Sequence, residues 1–531
     1  MIKLLVLGLD GATFSVIKPL CNEGKLPNLK KLISQGVHGT LESTFPPLTA
    51  PAWTSLATGK NPGKTGVFDF FNRLTQDSLQ RKPTRSSDIR RARAYWDYLS
   101  DSGMKVGVVN YPCLYPPYEI NGVMVSGVGS DPQDEICYPK EFKQALIKKC
   151  GRYQIQVPWN NREYADNPEL FVNELLGLLE INQNTLELLL ESDLEVITFV
   201  IAAGDFAQHY MWRYIDPTHP YYRRPEADKY GPAFVRIWQR IDQIVGSAIE
   251  GLPKHANVLI VSDHGFGPRR SSFCTNSWLY KEGYLVKRST FVKVRWLRGI
   301  VGRAIRRVVP RFYSKATHKG GFGGILSMPA VAEIDVERSA AFSPPSGSRV
   351  GLICLNRHAP LFVEDGRDID EVRHEITSKL KQACNNLGVT VNIYSPGELY
   401  TGPYVDLTYD IIFELDDFEC TVHFGLDRIP YQKPAPDMNF SGTHKREGIF
   451  IAYGHDIKQG VKLEEAKIYD VAPTILHILG MPIPVDMDGR VSEEIFREDS
   501  EPTSRPVEYG EAGERDRIRR KLAKLKSLRK M

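Results

Sequence analysis

Short runs of consecutive apolar residues, each the length of one strand, punctuate the chain at residues 3–9, 105–109, 194–201 and 257–261. Hydrophobicity that is continuous rather than alternating marks a strand covered on both faces, as in a parallel sheet flanked by helices. Each run stops at polar residues. The first gives way to Asp10-Gly11, the second to Asn110-Tyr111-Pro112, the third to Gly204-Asp205-Phe206-Ala207-Gln208-His209 and the fourth to Ser262-Asp263-His264-Gly265. Residues 122–128, 350–355, 411–415 and 449–454 read as further strands. Apolar positions at helical spacing predict helices over 26–33, 94–99, 170–189, 233–249, 370–387 and 470–479. Strands alternating with helices predict an α/β protein with a mostly parallel central sheet, and residues 340–430 read as an inserted cap or peripheral extension.

One stretch differs from the rest. In Pro46-Pro47-Leu48-Thr49-Ala50-Pro51-Ala52-Trp53 the paired prolines keep a loop extended, and Pro51 suits the first turn of a helix. Thr49 therefore falls at or near the N-cap, where unpaired amides and the positive end of the dipole face outward. Its hydroxyl serves either as a cap or as a nucleophile toward a phosphorus whose oxygens rest on those amides.

Open α/β sheets keep their ligands at the carboxyl ends of the strands. Asp10 lies at such an end, where it serves either as a ligand or as a helix cap. Asp205 and His209, four apart, converge on one metal if their segment turns helically. Asp263 and His264 splay around a strand end. With His444, in Gly442-Thr443-His444, and Thr49 they make seven hard or borderline ligands, enough for two divalent ions with open positions. Two such ions about 4 Å apart suit an in-line phosphoryl displacement.

At 531 residues the chain holds one large domain with insertions, or two domains. A net charge of +4 gives no broad surface for nucleic acid. The eight cysteines include no C-x-x-C pair, which fits a reducing compartment better than a disulfide framework. The apolar start is too short for a signal peptide and ends at an aspartate, and no apolar run reaches the roughly 18 residues of a membrane span. A cytoplasmic enzyme is the expectation. Residues 281–319 carry about a dozen Lys and Arg against one acid, with a basic amphipathic helix ending at Pro310. That helix either docks on the protein with a solvated basic face or meets an anionic membrane surface. Residues 320–324 read as a linker, and the tail from 515 to 531 is basic.

Taken in order, Gly8-Leu9-Asp10-Gly11, Thr49-Ala50-Pro51 through Ala57-Thr58-Gly59, Asp205 with His209, Ser262-Asp263-His264-Gly265 and Gly442-Thr443-His444 resemble the alkaline phosphatase superfamily. Tyr469-Asp470-Val471-Ala472-Pro473-Thr474 and Asp488-Gly489-Arg490 extend the likeness, whose nearest branch is the type I phosphodiesterase/nucleotide pyrophosphatase group with its phosphohydrolase and phosphomutase relatives. The resemblance implies an α/β/α sandwich with its core in residues 1–285 and 436–500, an insertion or cap over 286–435 and a tail over 501–531. It implies that Asp10, Thr49, Asp263 and His264 bind one metal and Asp205, His209 and His444 another, zinc or manganese. Thr49 would attack a small phosphorylated substrate and form a phosphothreonine. One position departs: where nucleotide pyrophosphatases carry an Asn three residues after the nucleophile, this chain has Ala52. Lys60, Arg269 and Arg270 are the candidate replacements for that lost phosphoryl contact. A sulfatase is unlike this chain, which lacks the Cys or Ser modification motif. The alternatives are a phosphotransferase or phosphomutase of the same superfamily, and a degenerate module that binds a membrane surface or a partner.

Overall fold

Along the first strand Leu4 and Val6 join one hydrophobic cluster while Leu5, Leu7 and Leu9 join another, and all are buried. A strand whose side chains are buried on both sides must sit inside a sheet covered on both faces. The computed structural model describes residues 1–73, 81–130, 134–158, 163–288, 333–426, 429–435 and 440–510, and it shows that arrangement.

Among the described residues nine strands form the central sheet: β1 (Leu4–Leu9), β2 (Val37–Glu42), β3 (Val106–Tyr111), β4 (Gly122–Ser126), β5 (Cys137–Tyr138), β6 (Val196–Ile201), β7 (Asn257–Val261), β8 (Glu447–Gly454) and β9 (Val461–Lys467). Their spatial order is β9-β2-β8-β7-β1-β6-β3-β4-β5. The β1 strand is parallel to both neighbours, with Leu9 opposite Ile201 and Gly8 opposite Val261. Only β8 and β5 run against the common direction. This register brings the ends of β1, β6 and β7 level, so that Asp10, Asp205 and Asp263 leave the sheet at one edge.

Helices Phe14–Asn22, Pro27–Gln35, Pro168–Leu190, Ala203–Met211 and Arg224–Glu250 cover one face through the Leu5 cluster. Helices Thr49–Thr58, Tyr95–Ser102 and Val471–Ile478 cover the other through the Leu4 cluster. Each fully buried Leu or Val in these layers contributes about 1.5–3 kcal/mol. Gly8 admits a close contact: a Cβ there would lie 2.4 Å from Trp53 Cη2, so glycine lets this indole pack against the strand.

A second, seven-stranded sheet contains Ser271–Cys274, Ala341–Phe342, Gly351–Leu355, Val391–Tyr394, Ile411–Leu415, Cys420–His423 and Tyr431–Gln432. Helix Ile369–Leu387 packs on it through Val372, Ile376, Leu380 and Cys384 in a third cluster. Ser271–Cys274 precedes residue 286 and nonetheless belongs to this sheet.

The long apolar runs became strands as predicted, but β2, β9 and the two-residue edge strand β5, which lies in a stretch expected to be mostly helical, were not anticipated. In β2 buried Val37, Gly39 and Leu41 alternate with His38, Thr40 and Glu42, so no continuous run announces it. The amphipathic helix expected between 297 and 310, the 320–324 linker and the tail beyond 510 lie outside the described residues. Among the described residues no helix is long and apolar enough to cross a membrane.

Candidate active site

Asp10 follows β1 directly, and Gly11 turns the chain away at φ +68°. The Gly11 N–H donates to Asp263 Oδ1 at 3.2 Å, which ties the ends of β1 and β7 together. Asp205 and His209 lie on successive turns of helix Ala203–Met211, so the helical turn required by their spacing is present. His444 comes from strand Gly442–Lys445, which pairs antiparallel with Gly265–Pro268 and sets His444 opposite Phe266.

The side chains converge. His264 Nε2 lies 3.2 Å from Asp263 Oδ2 and 3.8 Å from Asp10 Oδ1. Asp205 Oδ1 lies 3.3 Å from His444 Nε2 and 3.5 Å from His209 Nε2. The two Nε2 atoms of His209 and His444 approach to 2.9 Å, and the rings of His264 and His444 stack with centroids 3.6 Å apart. Backbone carbonyls take the far ring nitrogens: Gly442 that of His209 at 3.3 Å, Pro47 that of His444 at 2.9 Å, and Gly265 that of His264 at 3.1 Å. These contacts aim each Nε2 into the cluster.

Burial and mutual charge shift the titrating groups of the cluster. Burial, then the charges of Asp263 and Asp205, hold Asp10 well above the usual carboxylate range. Burial, reinforced by Asp205, pushes Asp263 up to about 7. Burial opposes ionisation of Asp205 too, but His209 and His444 outweigh it and bring that carboxyl down to about 2. Burial drives His209 down to about 3 and His264 well below its ordinary value, so both rings are neutral donors of lone pairs. Asp10 Oδ1, Asp205 Oδ1, Asp263 Oδ2 and His264 Nε2 are buried without a hydrogen-bond partner. Each such atom costs about 1–3 kcal/mol unless something satisfies it. Carboxylate oxygens and neutral imidazole nitrogens facing one another are a donor set that suits divalent metal ions. Ligand atoms of Asp10, Asp263 and His264 lie within 4.8 Å of one another, as do those of Asp205, His264 and His444. His264 thus stands between the two groups.

Thr49 is the first residue of helix Thr49–Thr58, and Leu48 rather than Thr49 occupies the N-cap. Contacts on either side tie this stretch to the cluster. The Pro47 carbonyl bonds to His444, and Trp53, one turn after Thr49 on the same helix face, donates from Nε1 to Asp10 Oδ2 at 3.2 Å.

The three expected phosphoryl-binding cations are engaged elsewhere. Lys60 follows the far end of the helix, about 15 Å of helix from Thr49, and its buried ammonium donates to Ala92 O at 2.8 Å and pairs with Asp486 at 2.5 Å. Arg269 bonds Thr421 and the carbonyl of Phe440. Arg270 pairs with Glu419 at 2.8 Å and Asp216 at 3.3 Å. A positive charge near a motif does not say which carboxylate folding brings to it. One residue that sequence reading did not single out belongs beside the cluster: Trp53, through its bond to Asp10. The helical spacing of Thr49 and Trp53 signals it.

No curated protein matches the chain. The model of the type I phosphodiesterase / nucleotide pyrophosphatase family matches residues 4–417, a span containing Asp10, Thr49, Asp205, His209, Asp263 and His264, while His444 lies beyond it. That family is one of metal-dependent phosphoric ester hydrolases, and the match covers most of the chain. With this α/β architecture and this carboxylate–imidazole cluster, the chain belongs to the type I phosphodiesterase / nucleotide pyrophosphatase family.

Proposed function

We propose that this protein is a phosphodiesterase that cleaves a small phosphorylated substrate through Thr49, at a centre for two divalent ions. The observation that carries this reading is the bracketing of Thr49: the residue two before it bonds His444 and the residue four after it bonds Asp10. Asp10, Thr49, Asp263 and His264 would hold one ion, and Asp205, His209 and His444 the other, zinc or manganese. When bound, the ions would lower the pKa of the attacking hydroxyl and neutralise charge on the phosphoryl oxygens.

The chain's own groups do the rest. The intrahelical bonds begin with the Ala52 N–H, which donates to Leu48 O at 3.0 Å, and Pro51 has no N–H. The Thr49 and Ala50 amides are thus not used by the helix and can receive a phosphoryl oxygen at its positive end. Thr49 Oγ1 forms the new P–O bond as the ester P–O bond breaks. Water then cleaves the phosphothreonine and restores the hydroxyl. Trp53 and the Gly11 amide hold Asp10 and Asp263 in place, and the Pro47 carbonyl fixes the orientation of the His444 ring.

We assign residues 1–285 and 436–500 to the catalytic body and 286–435 to a cap, with strand Ser271–Cys274 of the body completing the cap's sheet. All eight cysteines are free and seven are buried, which supports a reducing, cytoplasmic location. Hydrolysis of bis-p-nitrophenyl phosphate tests the reading. Chelation should abolish it, zinc or manganese should restore it, and elemental analysis should find two divalent ions per chain. Full activity after exhaustive chelation would contradict the two-metal centre.

A further inference from the structure

One short segment of the cap, residues 400–404, grips the helix Thr49–Thr58 beyond both of its ends. Past the far end, the Thr401 N–H donates to Asn61 Oδ1 at 3.2 Å, Asn61 Nδ2 donates to Thr401 Oγ1 at 3.0 Å, and the Tyr404 N–H donates to Gly63 O at 3.0 Å. The two backbones touch there: a Cβ on Gly63 would lie 2.6 Å from Thr401 O, and one on Gly402 would lie 2.7 Å from Gly63 O. Ahead of the near end, the buried Tyr400 hydroxyl donates to Phe45 O at 2.7 Å. The Phe45 ring is seated in the same unit, with its centroid 5.0 Å from that of Tyr394 and 5.8 Å from that of Phe418. Phe45 thus belongs to the hydrophobic cluster of the second sheet, although Thr49, four residues on, belongs to the catalytic helix.

The strap between them is stiff. Pro46 and Pro47 follow Phe45, each ring fixes its own φ, and each proline also restricts the residue before it. A displacement of the Phe45 carbonyl is therefore passed along the chain instead of being absorbed. It arrives first at the Pro47 carbonyl, which holds His444 Nδ1 at 2.9 Å, and then at Thr49.

We propose that Tyr400 is a positioning residue for the reaction: its hydroxyl, reaching in from the cap, fixes the 45–47 strap and through it both the Thr49 hydroxyl and the His444 ring. This rests on the functional reading above, in which Thr49 attacks phosphorus and His444 holds a metal ion.

Tyr400→Phe tests it, because the ring stays and only the donor to Phe45 O is lost. In the metal-loaded protein kcat for bis-p-nitrophenyl phosphate should fall roughly three- to tenfold, the span of one neutral hydrogen bond, with KM within about twofold. The His444 end of the strap gives a readout without turnover. In calorimetric titration of the metal-free protein with zinc, affinity for one of the two ions should fall by a similar factor while the other stays within about twofold. Phe45→Leu, which loosens the same strap from its own side, should show the same split and decides the matter if Tyr400→Phe does not fold. Tyr409→Phe removes another buried hydroxyl of the cap, one that accepts from Arg81 at 2.8 Å, and should move neither kcat nor zinc affinity beyond about twofold. Unchanged kcat or unchanged zinc affinity in Tyr400→Phe, a rise in KM alone, or the same losses in Tyr409→Phe would overturn the role of Tyr400 while leaving the phosphodiesterase reading intact. A metal-loaded wild type that does not cleave the diester would overturn that reading and this inference with it.

Discussion

The Trp53 indole N–H donates to Asp10 Oδ2 across 3.2 Å, so a residue one turn beyond Thr49 fixes the carboxylate at the end of the central strand. Trp53 is itself held by Gly8 beneath it and by the Tyr111 hydroxyl, which donates to its carbonyl at 2.6 Å. The helix that presents Thr49 and the strand that presents Asp10 therefore move as one piece.

Trp53→Phe keeps an aromatic ring over Gly8 and deletes the donor. The loss of one hydrogen bond to a carboxylate, worth about 1.5 kcal/mol, should lower kcat/KM roughly tenfold. The smaller ring should cost about 1–2 kcal/mol of stability. Steady-state kinetics beside urea unfolding separate the two effects. Unchanged kinetics would mean that Asp10 needs no support from this indole.

Asp263 gives a pH-dependent prediction for the metal-free protein. Its folded pKa of about 7 lies above the ordinary 3.8, and burial is the main cause. The folded state thus binds more protons than the unfolded state between these values, so this group's contribution to stability is lost as pH rises from about 4 through 7. Asp263→Asn removes that charge and leaves an oxygen to accept the Gly11 N–H. In chelator at pH 8 the variant should be more stable than wild type by roughly 1–3 kcal/mol. The gap should narrow as pH falls toward 4, and metal binding should be much weaker than in wild type. Urea unfolding across that pH range in chelator is the check. A variant less stable than wild type at pH 8 would show that the carboxylate carries no repulsion to relieve.

Lys60 separates charge near a motif from charge in the site. Lys60→Met removes the bonds to Ala92 O and Asp486 and keeps the aliphatic stem. It should cost about 1–2 kcal/mol of stability and leave kcat/KM within about twofold. A fall beyond tenfold with normal unfolding would place Lys60 at the substrate after all.

What the sequence made legible divides by range. Asp10, Asp263 and the Asp205–His209 pair were readable because each sits where a run of apolar residues stops, and parallel sheets gather their strand ends at one edge. The helix beginning at Thr49 was readable from Pro51, though the cap proved to be Leu48. The antiparallel insertion of β8 between β2 and β7 was not readable, because a buried run carries no sign of its direction. The fates of Lys60, Arg269 and Arg270 depend on Asp486, Thr421 and Glu419, and no local pattern links partners more than a hundred residues apart.

The most direct test is hydrolysis of bis-p-nitrophenyl phosphate by metal-loaded Thr49→Ala and Thr49→Ser beside wild type. Thr49→Ala should lose at least about a thousandfold in kcat, as expected when a covalent step is removed, and Thr49→Ser should stay within about tenfold. Thr49→Ala retaining near wild-type turnover would contradict attack by this hydroxyl.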